Sequence, residues 1–442
     1  MQTKTQTKLE KLLKLAKEKG ASQAEVIQMS WTDNPINFEN NKLKTLESNE
    51  SAGISIRLIK NNKIGIASST DPEAFESIVN SAIDSSEFGA IATFDLSKEK
   101  LDGTDLIHQT SKEIPLEELV ERGTFTIEEI KQFHKDLLIS GGFDLGFGET
   151  IYLNSNGVSG KRTKSVYSTS FYTHLIRGED FLGVYEGNNS LENFPDEKKI
   201  TKKILEKLNC SRENLVLETK KYPVIFTPRA VAYIFANILS VILNGKAIQQ
   251  GVSLLMDKLG KELFDKKLSF IEDPSVGTRK AAFDDEGIRT TKKELIKNGV
   301  INSFYFDLSS GSRVKPPCLT TGNGFKPGLS AAPSPNLTSI IIEGDKTPYK
   351  EMITNIEEGI LVDQLLGAGQ SNTLAGEFSV GIELGFKIKN GAVQGRIKNC
   401  MLAGNIFEIL KNISEISKEQ EWVDGAMFLP SFLIDGLTVA GR

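Results

Sequence analysis

The feature that most constrains this chain is the apolar stretch Thr227–Gly245, TPRAVAYIFANILSVILNG. The Thr227 hydroxyl can cap the first helical turn, and Pro228 suits the first helical position because no N–H is needed there. Gly245 can take the left-handed conformation that ends many helices. The stretch therefore predicts a buried helix from Pro228 to Asn244.

Polar side chains in this stretch fall on one stripe of the predicted helix. They are spaced three or four residues apart, at Tyr233, Asn237, Ser240 and Asn244. The rest of the circumference is apolar, so other elements must surround the helix. The stripe is a candidate contact for a substrate or another subunit. The alternative is that the fold itself satisfies these polar groups.

Composition describes an ordinary globular chain of 442 residues, with 39% hydrophobic and 25% charged residues. Its formal charge of −5 disfavours phosphate backbones, so no direct nucleic-acid binding is expected. The apolar stretch is shorter than the roughly 20 apolar residues that span a bilayer. The isolated cysteines Cys210, Cys318 and Cys400 indicate a reducing compartment. We expect a cytoplasmic protein with no membrane segment.

Patterns along the chain predict an α+β fold. Apolar residues alternate with polar ones on both sides of the turn-prone Asn61 and Asn62, which is typical of a hairpin. N-terminal α/β-type sheet-and-helix domains are expected at residues 1–90 and 115–220, joined by a connector. Residues 221–442 are expected to form a large antiparallel β-rich domain that opens with the buried helix.

Residue chemistry alone supplies no complete catalytic or metal-binding constellation. His108, His134 and His174 are scattered and do not predict a zinc site. The acidic triplet Asp284, Asp285 and Glu286 could serve acid–base chemistry or bind a hard cation. The alternative is a turn, because Gly287 follows and consecutive turn residues point in different directions.

Several segments, taken together and in order, resemble the TldD/PmbA family of metalloproteases, which has also been described as modulators of DNA gyrase. The segments include KKYPVIFTP at 220–228, FIEDP at 270–274, GTRKAAFDDEGIRTTKKELIKNGVINSFYFD at 277–307, LTTGNG at 319–324, MLAGN at 401–405 and IDGLTVAGR at 434–442. The resemblance extends over roughly residues 25 to 442.

The family divides on a zinc motif. Members of the TldD type carry HExxxH on the helix that opens the last domain, and a later cysteine completes the site. Here the corresponding helix, Pro228 to Asn244, has no histidine, and residues 421–436 contain no cysteine. The chain thus resembles the metal-free PmbA (TldE) branch. This implies no cofactor and no catalytic or metal-binding residue in this chain, with zinc in a TldD-like HExxxH partner.

The resemblance implies a subunit of a heterodimer or larger assembly that cleaves unfolded peptides or processes precursor peptides. The isolated chain would then be inactive. An extended peptide could add as a strand to a sheet edge, with close approach at Gly376, Gly381 and Gly385. These glycines could equally mark bulges in core strands.

Two other interpretations remain open. The chain could be a non-enzymatic, homodimeric peptide-binding or regulatory protein of the gyrase-modulator type. It could also be an independent enzyme that uses residues 284–286.

Overall fold

The computed structural model describes residues 4–71, 73–106, 114–367 and 371–441. They form the predicted α+β arrangement, with a strand-rich C-terminal region. The helices are α1 Lys4–Glu18, α2 Phe75–Glu87, α3 Leu116–Lys131, α4 Glu197–Cys210, α5 Pro228–Val231, α6 Asn237–Ile242, α7 Gly245–Gln249, α8 Leu308–Arg313, α9 Tyr349–Thr354 and α10 Ile406–Ile409. A π-helical segment, Ala232–Ala236, joins α5 to α6, and Thr373–Ala375 forms a 3₁₀ turn. None of the described helices is long and apolar enough to cross a membrane.

The strands fall into an N-terminal and a C-terminal set. The first set is β1 Gln23–Asp33, β2 Ile36–Glu39, β3 Lys42–Leu46, β4 Asn49–Lys60, β5 Lys63–Ser69, β6 Thr104–Leu106, β7 Leu138–Asn154, β8 Ser159–Arg177 and β9 Asp180–Ser190. The second set is β10 Asn214–Leu215, β11 Lys220–Phe226, β12 Phe270–Glu272, β13 Lys293–Lys297, β14 Val300–Ile301, β15 Gly324–Phe325, β16 Ser334–Pro335, β17 Ile340–Ile342, β18 Glu358–Leu366, β19 Glu377–Lys389, β20 Ala392–Ile397, β21 Cys400–Asn405, β22 Glu415–Val423 and β23 Met427–Ala440.

The N-terminal set forms one nine-stranded sheet in the order β3-β2-β7-β1-β4-β5, with β8 on the other side of β7. Strands from the predicted units 1–90 and 115–220 therefore share a sheet, since Glu25 in β1 pairs with Asn154 in β7. The predicted connector contributes β6, which pairs with β8. The β4–β5 hairpin turns at Asn61 and Asn62 as predicted, and both residues have positive φ.

Two cores hold the N-terminal sheet in place. On one face, α1 and α2 bury apolar residues such as Leu12, Ile56 and Val79. A second core surrounds Phe143 and Phe171 and includes residues of α3, α4 and the C-terminal sheet. This shared core fixes the two sheets against each other.

The C-terminal set forms a twelve-stranded sheet, and β15 pairs separately with β16. Part of the large sheet closes into a barrel-like circuit, because β18 pairs with β11, β11 with β23, β23 with β21, β21 with β19, and β19 with β18. Most pairs are antiparallel as predicted, but β11–β18, β10–β20 and β17–β23 are parallel. The largest apolar core lies between this sheet and the helix that follows β11.

Candidate functional site

The central helix, which consists of α5, the π-helical segment and α6, begins as the sequence predicts. The Thr227 side chain accepts a hydrogen bond from the backbone N–H of Ala230, and Pro228 occupies the first turn. Thr227 also donates through its hydroxyl to Asp363 at 3.0 Å. Because Asp363 lies on β18, this bond joins the start of the helix to the sheet.

The middle of the central helix differs from the regular α-helix expected from the pattern. Residues 232–236 are π-helical, a local widening that is often found at functional sites. Phe235 in this segment packs edge-on against Phe226 at 5.1 Å and in a tilted arrangement against Phe432 at 5.6 Å, measured between ring centroids. The apolar side of the π segment is therefore held tightly within the core.

The end of the helix corrects a prediction about Gly245. This glycine was expected to close the helix in a left-handed conformation, but α6 ends at Ile242 and Gly245 is the first residue of α7. A Cβ atom at Gly245 would lie 2.2 Å from the Phe306 ring and 2.5 Å from the Tyr305 carbonyl oxygen. The glycine is needed because another segment of the chain approaches closely.

Two residues of the polar stripe, Asn244 and Ser240, make hydrogen bonds within the fold. Asn244 caps α7 by accepting from the Lys246 N–H at 2.9 Å, and its amide group donates to Tyr305 and to the Pro335 carbonyl. The Ser240 hydroxyl donates to the Ala236 carbonyl at 2.7 Å within the helix. The fold thus satisfies this pair.

Tyr233 and Asn237 form the other pair of the stripe. Both side chains are exposed on the helix surface, with Tyr233 39% accessible. They face a cavity of about 1090 Å³, which we call the helix cavity. Ser240 and Asn244 line the same cavity but are half-buried, so Tyr233 and Asn237 are the more exposed members of the stripe.

The helix cavity lies between the central helix and strands of both sheets. Its polar wall is formed by Tyr172, Tyr185, Arg229, Asp363, Gln364 and Glu383. These residues come from β8, β9, α5, β18 and β19. The cavity thus belongs to the junction of the two sheets, where concave ligand sites commonly occur.

Charged groups stabilise the start of the central helix beside this cavity. The Lys207 ammonium is paired with the carboxylates of Glu186 and Asp363. Burial disfavours the charged forms most, but the mutual attraction lowers the pKa of Asp363 and raises the pKa of Lys207. Arg229 extends this network, because its guanidinium lies 3.7 Å from Glu186 and 4.8 Å from the Tyr185 ring centroid.

Tyr172 and Glu383 form a second polar group on the cavity wall and share a hydrogen bond. Burial raises the pKa of both side chains. Gly183 makes room for this tyrosine, since a Cβ there would lie 2.4 Å from its hydroxyl oxygen. The wall can therefore present both a hydroxyl and a carboxyl group to a ligand.

Sequence reasoning missed the residues of this wall. A signal was present for Asp363, which is a single acidic residue within the apolar run GILVDQLL. A buried charge in such a run predicts a cationic partner. No local pattern indicated that Tyr172, Arg229 and Glu383 meet, because they lie on three distant elements.

The acidic triplet occupies a turn, as the alternative interpretation predicted. Asp284 accepts hydrogen bonds from the backbone N–H groups of Glu286, Ile288 and Gly324 at 2.8–2.9 Å. Asp285 pairs with Arg162 and accepts from the backbone N–H of Lys326. All three acidic residues are buried. They do not form an accessible catalytic pair.

Glu286 joins the turn to the N-terminal sheet. Its carboxylate accepts from Arg57 at 2.8 Å and from the Leu308 N–H at 2.7 Å. Arg57 also donates to Glu25 at 2.6 Å, and the Tyr152 hydroxyl donates to Glu25 at 2.9 Å. Burial raises the pKa of Glu286 to about 7 despite the attraction of Arg57. We call Glu25, Arg57, Tyr152 and Glu286 the interdomain network.

The three candidate glycines do not lie at a free sheet edge. Gly381 pairs with Leu366 on one side and with Met401 on the other, so β19 is an interior strand there. Gly385 is buried and pairs with β18. Gly376 ends the 3₁₀ turn with a φ of 74°, and a Cβ there would lie 2.7 Å from the Phe407 ring. Close packing and conformation, rather than strand addition at an open edge, explain Gly376 and Gly385.

The donor groups of the helix cavity do not fit a catalytic zinc site. Within the described ranges, no three His, Cys, Asp or Glu residues converge as metal ligands. His174 packs between the rings of Tyr172 and Phe181, and His134 lies in the turn after α3. His108 falls outside the described residues. The accessible groups of the helix, a phenol and an amide, are not the ligands that zinc prefers.

Family models match both ends of this architecture. The model of PmbA/TldA metallopeptidase domain 1 matches residues 24–86. That of the PmbA/TldA metallopeptidase C-terminal domain matches residues 219–441, which is more than half of the chain. The chain belongs to the TldD/PmbA family. It is thus a peptidase-type protein of the TldD/TldE group, and the predicted family is confirmed.

Relatives of this TldD/PmbA chain match along nearly its whole length. The metalloprotease PmbA of Escherichia coli O157:H7 is 24% identical, covering 93% of this chain and 92% of that protein. A PmbA homolog of Haemophilus influenzae is 26% identical, covering 97% and 94%. The crystal structure of TldE from Thermococcus kodakarensis superposes with a TM-score of 0.89 at 23% identity, covering 98% and 100%. That likeness shows a shared fold.

Proposed function

We propose that this chain is a PmbA (TldE)-type subunit that lacks the catalytic zinc and works with a TldD-type HExxxH subunit. The observation that carries the proposal is the accessible face of the central helix. It presents Tyr233 and Asn237 to the helix cavity, where a zinc-bearing relative would need metal ligands. Zinc in the partner would activate water for peptide hydrolysis, and this chain would contribute to holding the substrate.

The chemistry of the helix cavity suits an extended peptide. The Asn237 amide can donate to a peptide carbonyl and accept from a peptide N–H at the same time. The rings of Tyr172, Tyr185 and Tyr233 supply apolar contact area beside these polar groups. Recognition through backbone groups would tolerate many peptide sequences, as a protease for unfolded substrates requires.

Orientation of the peptide would depend on the fixed charges of the wall. Arg229 is held over the Tyr185 ring, and Asp363 is already paired with Lys207. Because these groups are anchored to both sheets, they would not need to reorganise when a peptide enters. The proposed role is therefore substrate binding, with no step of bond cleavage assigned to this chain.

Zinc content and activity of the purified components test this proposal. We expect far less than one zinc per chain and no peptidase activity from this protein alone. A mixture with a TldD-type family member from the same organism should cleave an unfolded peptide. About one tightly bound zinc per chain together with unaided cleavage would place the protein outside the metal-free branch. A stable homodimer that no such partner joins would contradict the subunit role.

A further inference from the structure

A second cavity lies between the N-terminal sheet and the C-terminal domain, next to the helix cavity. Its volume is about 550 Å³. Arg279, Asn336 and Leu337 line both cavities. The two spaces are therefore adjacent, and a chain segment bound in one can continue into the other. We call the second space the tryptophan cavity, after Trp31.

A cross-strand row positions Trp31 on one wall. Trp31 in β1 pairs with Gly148 in β7, and Gly148 pairs with Lys164 in β8. The indole lies over β7, since a Cβ at Gly148 would be 2.3 Å and one at Gly146 2.4 Å from its ring atoms. The Lys164 ammonium is 5.9 Å from the ring centroid. Two glycines thus let an aromatic ring and a lysine of nonadjacent strands meet.

Positive charge is in excess on the wall of the tryptophan cavity. Its acidic groups, Glu149 and Asp285, are already paired with Lys161 and Arg162 respectively. By contrast Lys164, Arg279 and Lys280 also line the cavity, and none of them has an ion pair among the residues that the structure describes. This surplus stands out in a chain whose formal charge is −5.

Lys164 is a half-buried member of this group, whereas Arg279 is exposed. Burial lowers the pKa of Lys164, and the nearby charges of Arg162 and Arg279 lower it further, against the opposing effect of the Asp285 carboxylate. The hydrogen-bond partner of Lys164 is the Thr278 carbonyl at 3.5 Å, which is a long contact. An anion in the cavity would relieve the repulsion among these cations.

Apolar groups stand beside the cations. Leu329 packs against Gly53, where a Cβ would lie only 2.2 Å from the leucine side chain. Leu329 and Trp31 therefore form an apolar surface next to Lys164. A ligand that matches both features has an anionic end attached to an apolar group.

We propose that the tryptophan cavity binds the C-terminal carboxylate of an extended peptide, with the last side chain of the peptide against Trp31. The carboxylate lies near Lys164 and Arg279, and the preceding residues lead past Arg279 and Asn336 into the helix cavity. The path of the peptide into the helix cavity assumes the proposed substrate-binding function. Carboxylate binding itself does not.

Trp31 fluorescence tests the proposal directly. The chain has two tryptophans, so Trp422→Phe leaves Trp31 as the only one. This single-tryptophan protein is titrated with two peptides of identical sequence, one ending in a free carboxylate and one in a carboxamide. We expect the free carboxylate to bind about tenfold more tightly, because charge-assisted hydrogen bonds are lost with the amide.

Matched variants test whether the cavity residues cause the preference for the carboxylate peptide over the amide. Lys164→Met and Arg279→Met should each reduce the affinity for the carboxylate peptide toward that for the amide. Lys221→Met is the control, since it removes the same charge from an exposed position on β11 outside the cavity. Circular dichroism establishes that each variant is folded. Equal binding of the two peptides, no binding, or a preference that persists in both cavity variants would overturn the proposal.

Two further ligands distinguish a site for a peptide C-terminus from a general anion site. An amidated peptide with glutamate as its last residue should bind as weakly as the plain amide, and inorganic phosphate at the same concentration should not displace the carboxylate peptide. If either ligand matches the carboxylate peptide, the site is a general anion site and the assignment to a peptide terminus is wrong.

The experiments distinguish failure of the carboxylate site from failure of the proposed function. If both peptides bind equally and Tyr233→Ala weakens both, the carboxylate assignment fails while peptide binding in the helix cavity stands. If the carboxylate preference is found but the TldD-type mixture is inactive, the proposed subunit role fails while the carboxylate site stands.

Discussion

The interdomain network and the helix cavity contain similar side chains, but only the helix cavity also presents exposed polar groups. Each contains carboxylates, an arginine and tyrosine where the N-terminal sheet meets C-terminal parts of the chain. In the interdomain network Arg57, Glu25 and Glu286 are buried and bonded to one another. In the helix cavity Tyr233 and Asn237 are exposed to a large open space.

This difference separates polar groups that hold the fold from those that can bind a ligand. A buried charge without partners is costly, so the network must be satisfied within the protein. A group on a cavity wall can exchange water for a ligand. The acidic triplet therefore belongs to the architecture, although its sequence resembles a catalytic cluster.

The largest expected effect comes from breaking the interdomain network. Arg57→Met leaves the Glu25 and Glu286 carboxylates buried without their cation, and we expect a loss of about 3–5 kcal/mol in the free energy of unfolding at pH 8. Urea denaturation measures this loss. Lys161→Met is the control, because its pair with Glu149 lies at the surface and should contribute less than about 1 kcal/mol. Similar losses of unfolding free energy in the two variants would contradict the structural role of the interdomain network.

The pH dependence of stability should reveal the Glu286 carboxyl. In the folded protein its pKa is raised, mainly by burial, from the ordinary 4.5 to about 7. Between these pH values the folded protein binds a proton at Glu286 that the unfolded chain does not. The contribution of protonated Glu286 to the free energy of unfolding is therefore full below pH 4.5 and is lost as pH rises through 7.

Glu286→Gln removes that titration. We expect the decrease in unfolding free energy between pH 5 and pH 8 to be smaller in the variant than in the wild type, by on the order of 2 kcal/mol. Urea denaturation at both pH values measures the difference. If the two proteins show the same pH dependence, Glu286 does not titrate in this window.

The close approach at Gly245 provides a packing test of the helix end. Gly245→Ala places a methyl group against the Phe306 ring, and overpacking of this kind costs about 1–3 kcal/mol. Gly328→Ala is the matched control, since no atom lies within 4 Å of the added Cβ. Thermal unfolding compares the two variants. If both shift the melting temperature equally, Gly245 is not required by packing.

The smallest expected effect is the difference in stability loss between a variant of Asn244 and a variant of Asn237 in the polar stripe. Asn244→Ala removes a helix cap and is expected to cost about 1 kcal/mol. Asn237→Ala changes an exposed helical residue and should alter stability by less than about 0.5 kcal/mol. Urea denaturation of both variants checks this order. A larger loss from Asn237→Ala would assign that residue to the fold rather than to the cavity.

Local signals predicted local structure well. The cap at Thr227, the hairpin turn at Asn61 and Asn62, and the turn at the acidic triplet all depend on neighbouring residues. The hydrogen bonds and backbone angles involved are set within a few positions of the chain. The sequence pattern therefore contained the information needed for them.

Features that depend on distant contacts could not be predicted in this way. Gly245 was assigned to a left-handed helix end because nothing nearby in the sequence reveals Phe306. The shared sheet depends on pairing between β1 and β7, which are separated by about a hundred residues. The cavity wall likewise needs Tyr172, Arg229 and Glu383 to meet across three elements.

The most direct test of the central claim is the peptidase activity of a TldD-type partner mixed with this chain, in wild-type form or with Tyr233→Ala and Asn237→Ala combined. We predict activity with the wild-type chain and, at peptide concentrations below saturation, at least about tenfold lower activity with the double variant, because the loss of two accessible contacts weakens peptide binding. The zinc content and folding of the mixture should not change. Equal activity and equal peptide affinity with both forms of the chain would contradict the account.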